Sequence, residues 1–180
     1  FLEKSDIKGL LSASWKNLIL DGINEEGSWT ENNRTLYYYY NRDHFFDSYF
    51  SIITESHFTD TPGSLNMGFT EKTWKPIGHL QPFIQVNKDG ALQELKKLGF
   101  KTFEPFIDES YDLEKNDVKR MKMIASEILR INSLSVEEIH SWYHSINDIL
   151  IHNQQLLFKY ADSKQDTERE FLTNLKKLCG

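Results

Sequence analysis

The chain has 180 residues, a formal net charge of −6, 39% apolar and 13% aromatic residues, and a single cysteine. This composition supports a packed core and excludes disorder along the whole chain. It also excludes a disulfide framework within the chain and a cysteine-rich zinc site, and no apolar run reaches the roughly 18 residues of a membrane span.

Residues 7–20 carry apolar side chains at near-helical spacing and predict an amphipathic helix. Residues 21–35 are polar and read as a loop. Asn33-Arg34-Thr35 is a formal glycosylation sequon, given little weight without a secretory signal. The aromatic run Leu36–Tyr40 and the segment Tyr49–Thr54 are strand candidates. The link between them is too short for a parallel crossover. They are expected to be antiparallel, or joined by one helical turn within Asp43–Asp47.

Residues 56–69 read as a loop. Thr70 then stands as N-cap of a helix that begins Glu71-Lys72-Thr73-Trp74-Lys75 and is shortened or kinked by Pro76. Gln81–Asn87 reads as a strand with Pro82 near its start. Residues 88–90 are a turn, 91–98 a short helix closed by Gly99, and 101–103 a last short strand. The order strand, helix, strand, helix, strand predicts an α/β fold with a Rossmann-like, mostly parallel sheet flanked by helices.

From about residue 116 the pattern is helical. Val118, Met121, Ile124, Ala125, Ile128 and Leu129 are expected on one inward face. Ser135-Val-Glu-Glu138 is a capping box, with Leu134 and Ile139 as its hydrophobic staple. The helix it opens is expected to run to about residue 160, with Ile139, Trp142, Tyr143, Ile146, Ile149, Leu150, Asn153 and Leu157 inward. A final helix over 164–178 would bury Phe171, Leu172, Leu175 and Leu178. The expected division is a Rossmann-like domain at 1–112 and a C-terminal helical extension at 113–180 packed on it.

Three short basic clusters occur: Lys96-Lys97 with Lys101, Lys119-Arg120 with Lys122, and Lys176-Lys177. Acidic neighbours accompany each, so they read as solvated helix faces, and no nucleic-acid footprint is expected.

The best candidate site lies where ligands bind in open parallel sheets, beyond the carboxyl ends of the strands. Glu55 ends one strand, and Thr70, Glu71, Lys72 and Lys75 open the next helix. A helix start offers free amides and partial positive charge to a phosphate. The plainer alternative is a capped helix in which Thr70 caps, Glu71 complements the dipole and Lys72 is solvated. On composition alone that alternative is the commoner arrangement.

The acidic stretch Asp108-Glu109-Ser110-Tyr111-Asp112 fails the calcium-loop pattern and reads as a loop before a helix. His140 and His144 have the i, i+4 spacing of zinc ligands, but lack the glutamate of a zinc-protease motif. A partly buried helix surface is the preferred reading there. His152 reads as a satisfied polar residue at the core's edge, and His79 as a helix-end residue. Neither a nucleophile elbow nor a Gly-rich phosphate loop is present. Cys179 is a poor nucleophile candidate near the C-terminus.

The run Phe69-Thr-Glu-Lys-Thr-Trp-Lys-Pro-Ile77, followed by Gln81-Pro-Phe-Ile84, resembles the donor-binding segment of α1,3-fucosyltransferase-like glycosyltransferases. The longer run through Leu98–Phe103 to Asp108–Asp112 is similar to uncharacterised phage and bacterial proteins. The resemblance spans residues 49–112, about a third of the chain. It implies a two-Rossmann-domain (GT-B) architecture whose C-terminal half binds a nucleotide sugar. Glu71 and Lys72 would contact the donor's ribose and diphosphate, and Glu55 would line its sugar end. No metal or other cofactor is implied, the nucleotide sugar being substrate.

Pro76 stands where that family usually has Asn, and 180 residues cannot hold both halves. The catalytic residues are therefore unassigned, and the base is expected in an N-terminal half that this chain lacks. The first residue, Phe1, fits the expectation of a fragment or processed chain. The implied function is a cytoplasmic nucleotide-sugar-dependent glycosyltransferase or its donor-binding half, acting on an unidentified acceptor with a possible partner domain or chain. The alternative is a non-catalytic scaffold or interaction module derived from such a domain.

Overall fold

Two short strands pair in parallel, β1 (Ser51–Thr54) and β2 (Phe83–Val86), in the register Ser51–Phe83, Ile52–Ile84, Ile53–Gln85 and Thr54–Val86. The computed structural model that shows them describes residues 45–56, 58, 59, 68–163 and 176, with the side chains of 161–163 not described. The expected elements at 7–20 and 36–40, and all of the final helix except Lys176, lie outside the described residues, as does Cys179.

All four residues of β2 are buried. That burial suits a strand covered on both faces, as parallel strands are. Backbone bonds from Ser51 N to Pro82 O (2.9 Å) and from Glu55 N to Val86 O (3.1 Å) lengthen the ladder at its two ends.

The crossover between the strands contains α1 (Glu71–Gly78), capped by Thr70 as the sequence predicts. Pro76 has no N–H for the fourth carbonyl back, and α1 stops two residues beyond it. The released chain folds back through Gln81 N to Pro76 O at 2.9 Å.

Helix α2 (Ala91–Lys97) ends as expected at Gly99. Gly99 has φ +94°. Its N–H reaches Lys96 O and the Phe100 N–H reaches Leu95 O, each at 3.0 Å. This is the Schellman pattern, and the buried Leu95 and Phe100 supply its hydrophobic contact.

The predicted strand at 101–103 does not form. Its backbone groups bond to side chains instead. Lys101 N donates to Asn153 Oδ1 (2.8 Å), Asn153 Nδ2 donates to Lys101 O (2.9 Å), and Phe103 N donates to Glu109 Oε1 (2.8 Å). Among the described residues the architecture is therefore mixed α/β with a two-stranded parallel sheet.

A 3-10 turn at Glu109–Leu113 leads into α3 (Asp117–Asn132), α4 (Val136–Ser145) and α5 (Asn147–Ser163). The capping box of Ser135 and Glu138 is present. The single helix expected over 135–160 is interrupted at Ile146, where the Ser145 hydroxyl donates back to Trp142 O at 2.7 Å. Such back-bonding competes with the helical ladder.

The inward face of α3 also differs from expectation. Val118 (67% exposed) and Met121 (42%) face outward, and Arg120 (1%) leads the buried stripe with Ile124, Ile128 and Ile131. The expected inward set of α4 and α5 holds, with Trp142, Ile146, Leu150, Asn153 and Leu157 buried.

One hydrophobic cluster joins the sheet to the helices, from Ile53, Ile84 and Leu92 through Phe103 and Ile124 to Leu157. Gln154 Nε2 on α5 also reaches Gly78 O at the end of α1 (2.7 Å).

Candidate functional site

Glu55 follows β1 and is 7% exposed. Its Oε1 accepts from Thr70 N (3.0 Å) and Thr73 Oγ1 (2.7 Å), and its Oε2 accepts from Thr70 Oγ1 (2.6 Å). The Thr70 hydroxyl in turn faces Lys72 N at 3.4 Å. Behind Thr73, Gln85 Nε2 donates to Thr73 Oγ1 at 3.2 Å. A polar chain thus runs from β2 through α1 to the end of β1. The buried carboxylate is satisfied by three donors, as a charge removed from water requires.

This arrangement places the five predicted residues as follows. Glu55 and Thr70 are brought together, and each occupies the other. Glu55 itself fills the anion position at the start of α1, where a diphosphate was expected. Glu71 is half-buried, and Lys72 is exposed with its Nζ 3.5 Å from Ser56 Oγ. Lys75 lies in the last turn of α1, where a cation complements the helix dipole. Its carbonyl receives the His79 N–H at 3.1 Å and lies 2.9 Å from His79 Nδ1.

The same device recurs at α2. Gly90, with φ +78°, has no side chain to cap the helix. Asp112 does so from the 3-10 turn, its Oδ1 and Oδ2 accepting from Leu92 N (2.9 Å) and Gln93 N (3.2 Å). Burial nevertheless holds the Asp112 carboxyl above its usual range. Glu109 is also raised, chiefly by burial, although Phe103 N, Thr102 and Lys96 (3.4 Å) favour its ionised form. Burial pushes the Tyr111 phenol up as well. Asp108, exposed and hydrogen-bonded by Ser110, is lowered. The acidic stretch, expected as a loop before a helix, is thus a 3-10 turn whose carboxylates serve as structural acceptors for the preceding segments.

Arg120, expected on a solvated basic face, lies buried beyond the carboxyl end of β2. Nε donates to Asn87 O (3.2 Å), Nη1 to Glu114 O (2.8 Å), and Nη2 to Phe58 O and to Asp117 Oδ1 (2.6 Å). Its guanidinium also stands 4.4 Å from the Phe58 ring centroid. The signal for it was its place four residues before Ile124, on the apolar stripe.

An open groove of about 570 Å³ is lined in part by Phe106, Arg130, Leu134, Glu137, Ser141 and Trp142. None of the five predicted site residues borders it. Phe106 stacks on Trp142 with ring centroids 4.0 Å apart. The histidines expected on a partly buried surface, His140 and His144, are exposed. His152 behaves as expected, with Nε2 2.9 Å from Gly99 O.

Among the described residues, no group of three or more His, Cys, Asp or Glu side chains is placed to hold a metal ion. No helix of the described residues is long and apolar enough to cross a membrane. No family model, curated protein or solved structure matches the chain.

Proposed function

We propose that the chain is the nucleotide-sugar-binding half of a cytoplasmic glycosyltransferase, related to the α1,3-fucosyltransferase-like enzymes that residues 69–84 resemble. The two parallel strands would then be the surviving part of a Rossmann-like sheet. The observation that carries this reading is the β1–α1–β2 unit, which sets the Thr70-Glu71-Lys72 helix start against the carboxyl end of β1. Ligands in parallel α/β units bind at such strand ends.

In this reading the roles within the site shift. Glu55 and Thr70 hold the helix start in position. The half-buried Glu71 would accept from the ribose hydroxyls, and the exposed Lys72 would pair with the diphosphate through its side chain. Lys75, one turn on, adds positive charge. The catalytic base and the acceptor site would come from a partner domain or chain.

The test is thermal shift of the full chain against nucleotide sugars and nucleoside diphosphates. Stabilisation by at least one of them, lost in Lys72→Ala, supports the reading. No shift with any of them at millimolar concentration overturns it.

A second reading is favoured by the Glu55 carboxylate at the start of α1. An anion position already filled from within suits a domain that keeps the fold as a scaffold without binding a nucleotide. A tight oligomer in sedimentation, with no nucleotide-dependent shift, would select it.

A further inference from the structure

His140 and His144 lie one turn apart on the exposed side of α4, with ring centroids 4.4 Å apart. Two features set them apart from an ordinary exposed pair. Tyr49 Oη lies 2.8 Å from His140 Nδ1, which leaves Nε2 as the outward nitrogen. The pair also covers the C-terminal half of α4, with His144 in the last turn. There the helix dipole favours a cation.

We propose that His140 and His144 form a two-imidazole clamp for a divalent transition-metal ion of the zinc or copper type, with water completing the coordination and Tyr49 as a positioning residue.

The spacing suits this role. A metal about 2.0–2.1 Å from Nε2 sits about 3.2 Å from the ring centroid. Two rings 4.4 Å apart then subtend roughly a right angle at a shared ion, as between cis ligands of a tetragonal copper site and tighter than the tetrahedral angle of zinc. Metal binding at His140 Nε2 requires the tautomer in which Nδ1–H donates to Tyr49 Oη, the role that outer partners of metal-bound histidines play. The site holds two protein ligands, so its ion exchanges readily and serves attachment or regulation better than a permanent structural role.

The experiment is calorimetric titration of the full chain with zinc chloride, and electron paramagnetic resonance with one equivalent of Cu²⁺. The expected result is one zinc ion per chain and a copper spectrum split by two imidazole nitrogens. His140→Ala and His144→Ala should each abolish both signals, and circular dichroism checks that the fold is kept. The other four histidines of the chain remain in the double variant as an internal control. Unchanged zinc affinity in that double variant, or no binding to the parent chain, overturns the clamp. Tyr49→Phe should weaken zinc by about tenfold, and an unchanged affinity overturns the positioning role of Tyr49.

Discussion

The carboxylate of Glu55 receives both the amide and the hydroxyl of Thr70, at 3.0 and 2.6 Å, so the end of β1 and the start of α1 are locked through one side chain. Removing that acceptor strands the hydroxyls of Thr70 and Thr73 and the Thr70 amide. Glu55→Ala should lower stability by about 1–3 kcal/mol, the cost of unsatisfied polar groups at a shielded site. Glu55→Gln retains one oxygen acceptor and should lose less. Urea unfolding checks both. Equal stability of Glu55→Ala and the parent would show that the helix start does not depend on this carboxylate.

Arg120 is held by three carbonyls and Asp117. Arg120→Ala strips the donors from three carbonyls and from the partly exposed Asp117, and a loss of about 1–3 kcal/mol is expected, the cost of unsatisfied shielded polar groups. Arg120→Lys should recover only part, since an ammonium cannot reproduce the guanidinium fork. Val118→Ala, two residues away on the exposed face, should change stability by less than about 0.5 kcal/mol. The contrast between Arg120 and Val118, measured by denaturant midpoints at constant slope, tests which stripe of α3 faces the core.

The buried Glu109 is raised in the folded state by desolvation. Its unfolded carboxyl titrates near about 4.3. A raised group contributes stability that is complete below the unfolded value and is lost as pH rises through the folded one. The stability of Glu109→Gln relative to the parent should therefore improve as pH is raised from about 4 toward neutrality. Asp108, lowered by Ser110, works in the opposite sense: its contribution is present above about 3.9 and fades on acidification. Thermal melts across this range decide the sign. A relative stability of Glu109→Gln that falls with rising pH would mean that Lys96 outweighs burial.

Gly99 takes φ +94°, and a Cβ there would lie 3.3 Å from Leu156 Cδ2. Gly99→Ala should cost about 1–2 kcal/mol, from left-handed strain with a tight contact added. Gly99→Asn tolerates that backbone region better, but its larger side chain meets the same leucine. Melting temperatures of the two variants compare strain with crowding.

Much of the local structure was legible along the chain. Thr70 as N-cap, the Ser135–Glu138 box, Gly99 as terminator and the inward set of α4 and α5 all depend on residues within a few positions of one another. Short-range hydrogen bonds and helical periodicity decide such features. The strand at 101–103 was not legible, because the partner that replaces its ladder, Asn153, lies about fifty residues away. The outward turn of Val118 and Met121 was harder to see, since the arginine at the head of the stripe is marked only by its spacing four residues before Ile124.

The candidate site divides in the same way. Sequence alone determined that Glu55, Thr70, Glu71 and Lys72 flank one strand end and one helix start, because chain order and capping chemistry require it, whereas Lys75, expected beside them, stands in the last turn of the short helix. Only the tertiary structure decided how the first two are used. Whether a helix start is open to a ligand depends on which acceptor the fold brings to it across the chain. Here a carboxylate fifteen residues upstream of Thr70 reaches that position, because parallel pairing of β1 with β2 delivers the end of β1 to the head of α1.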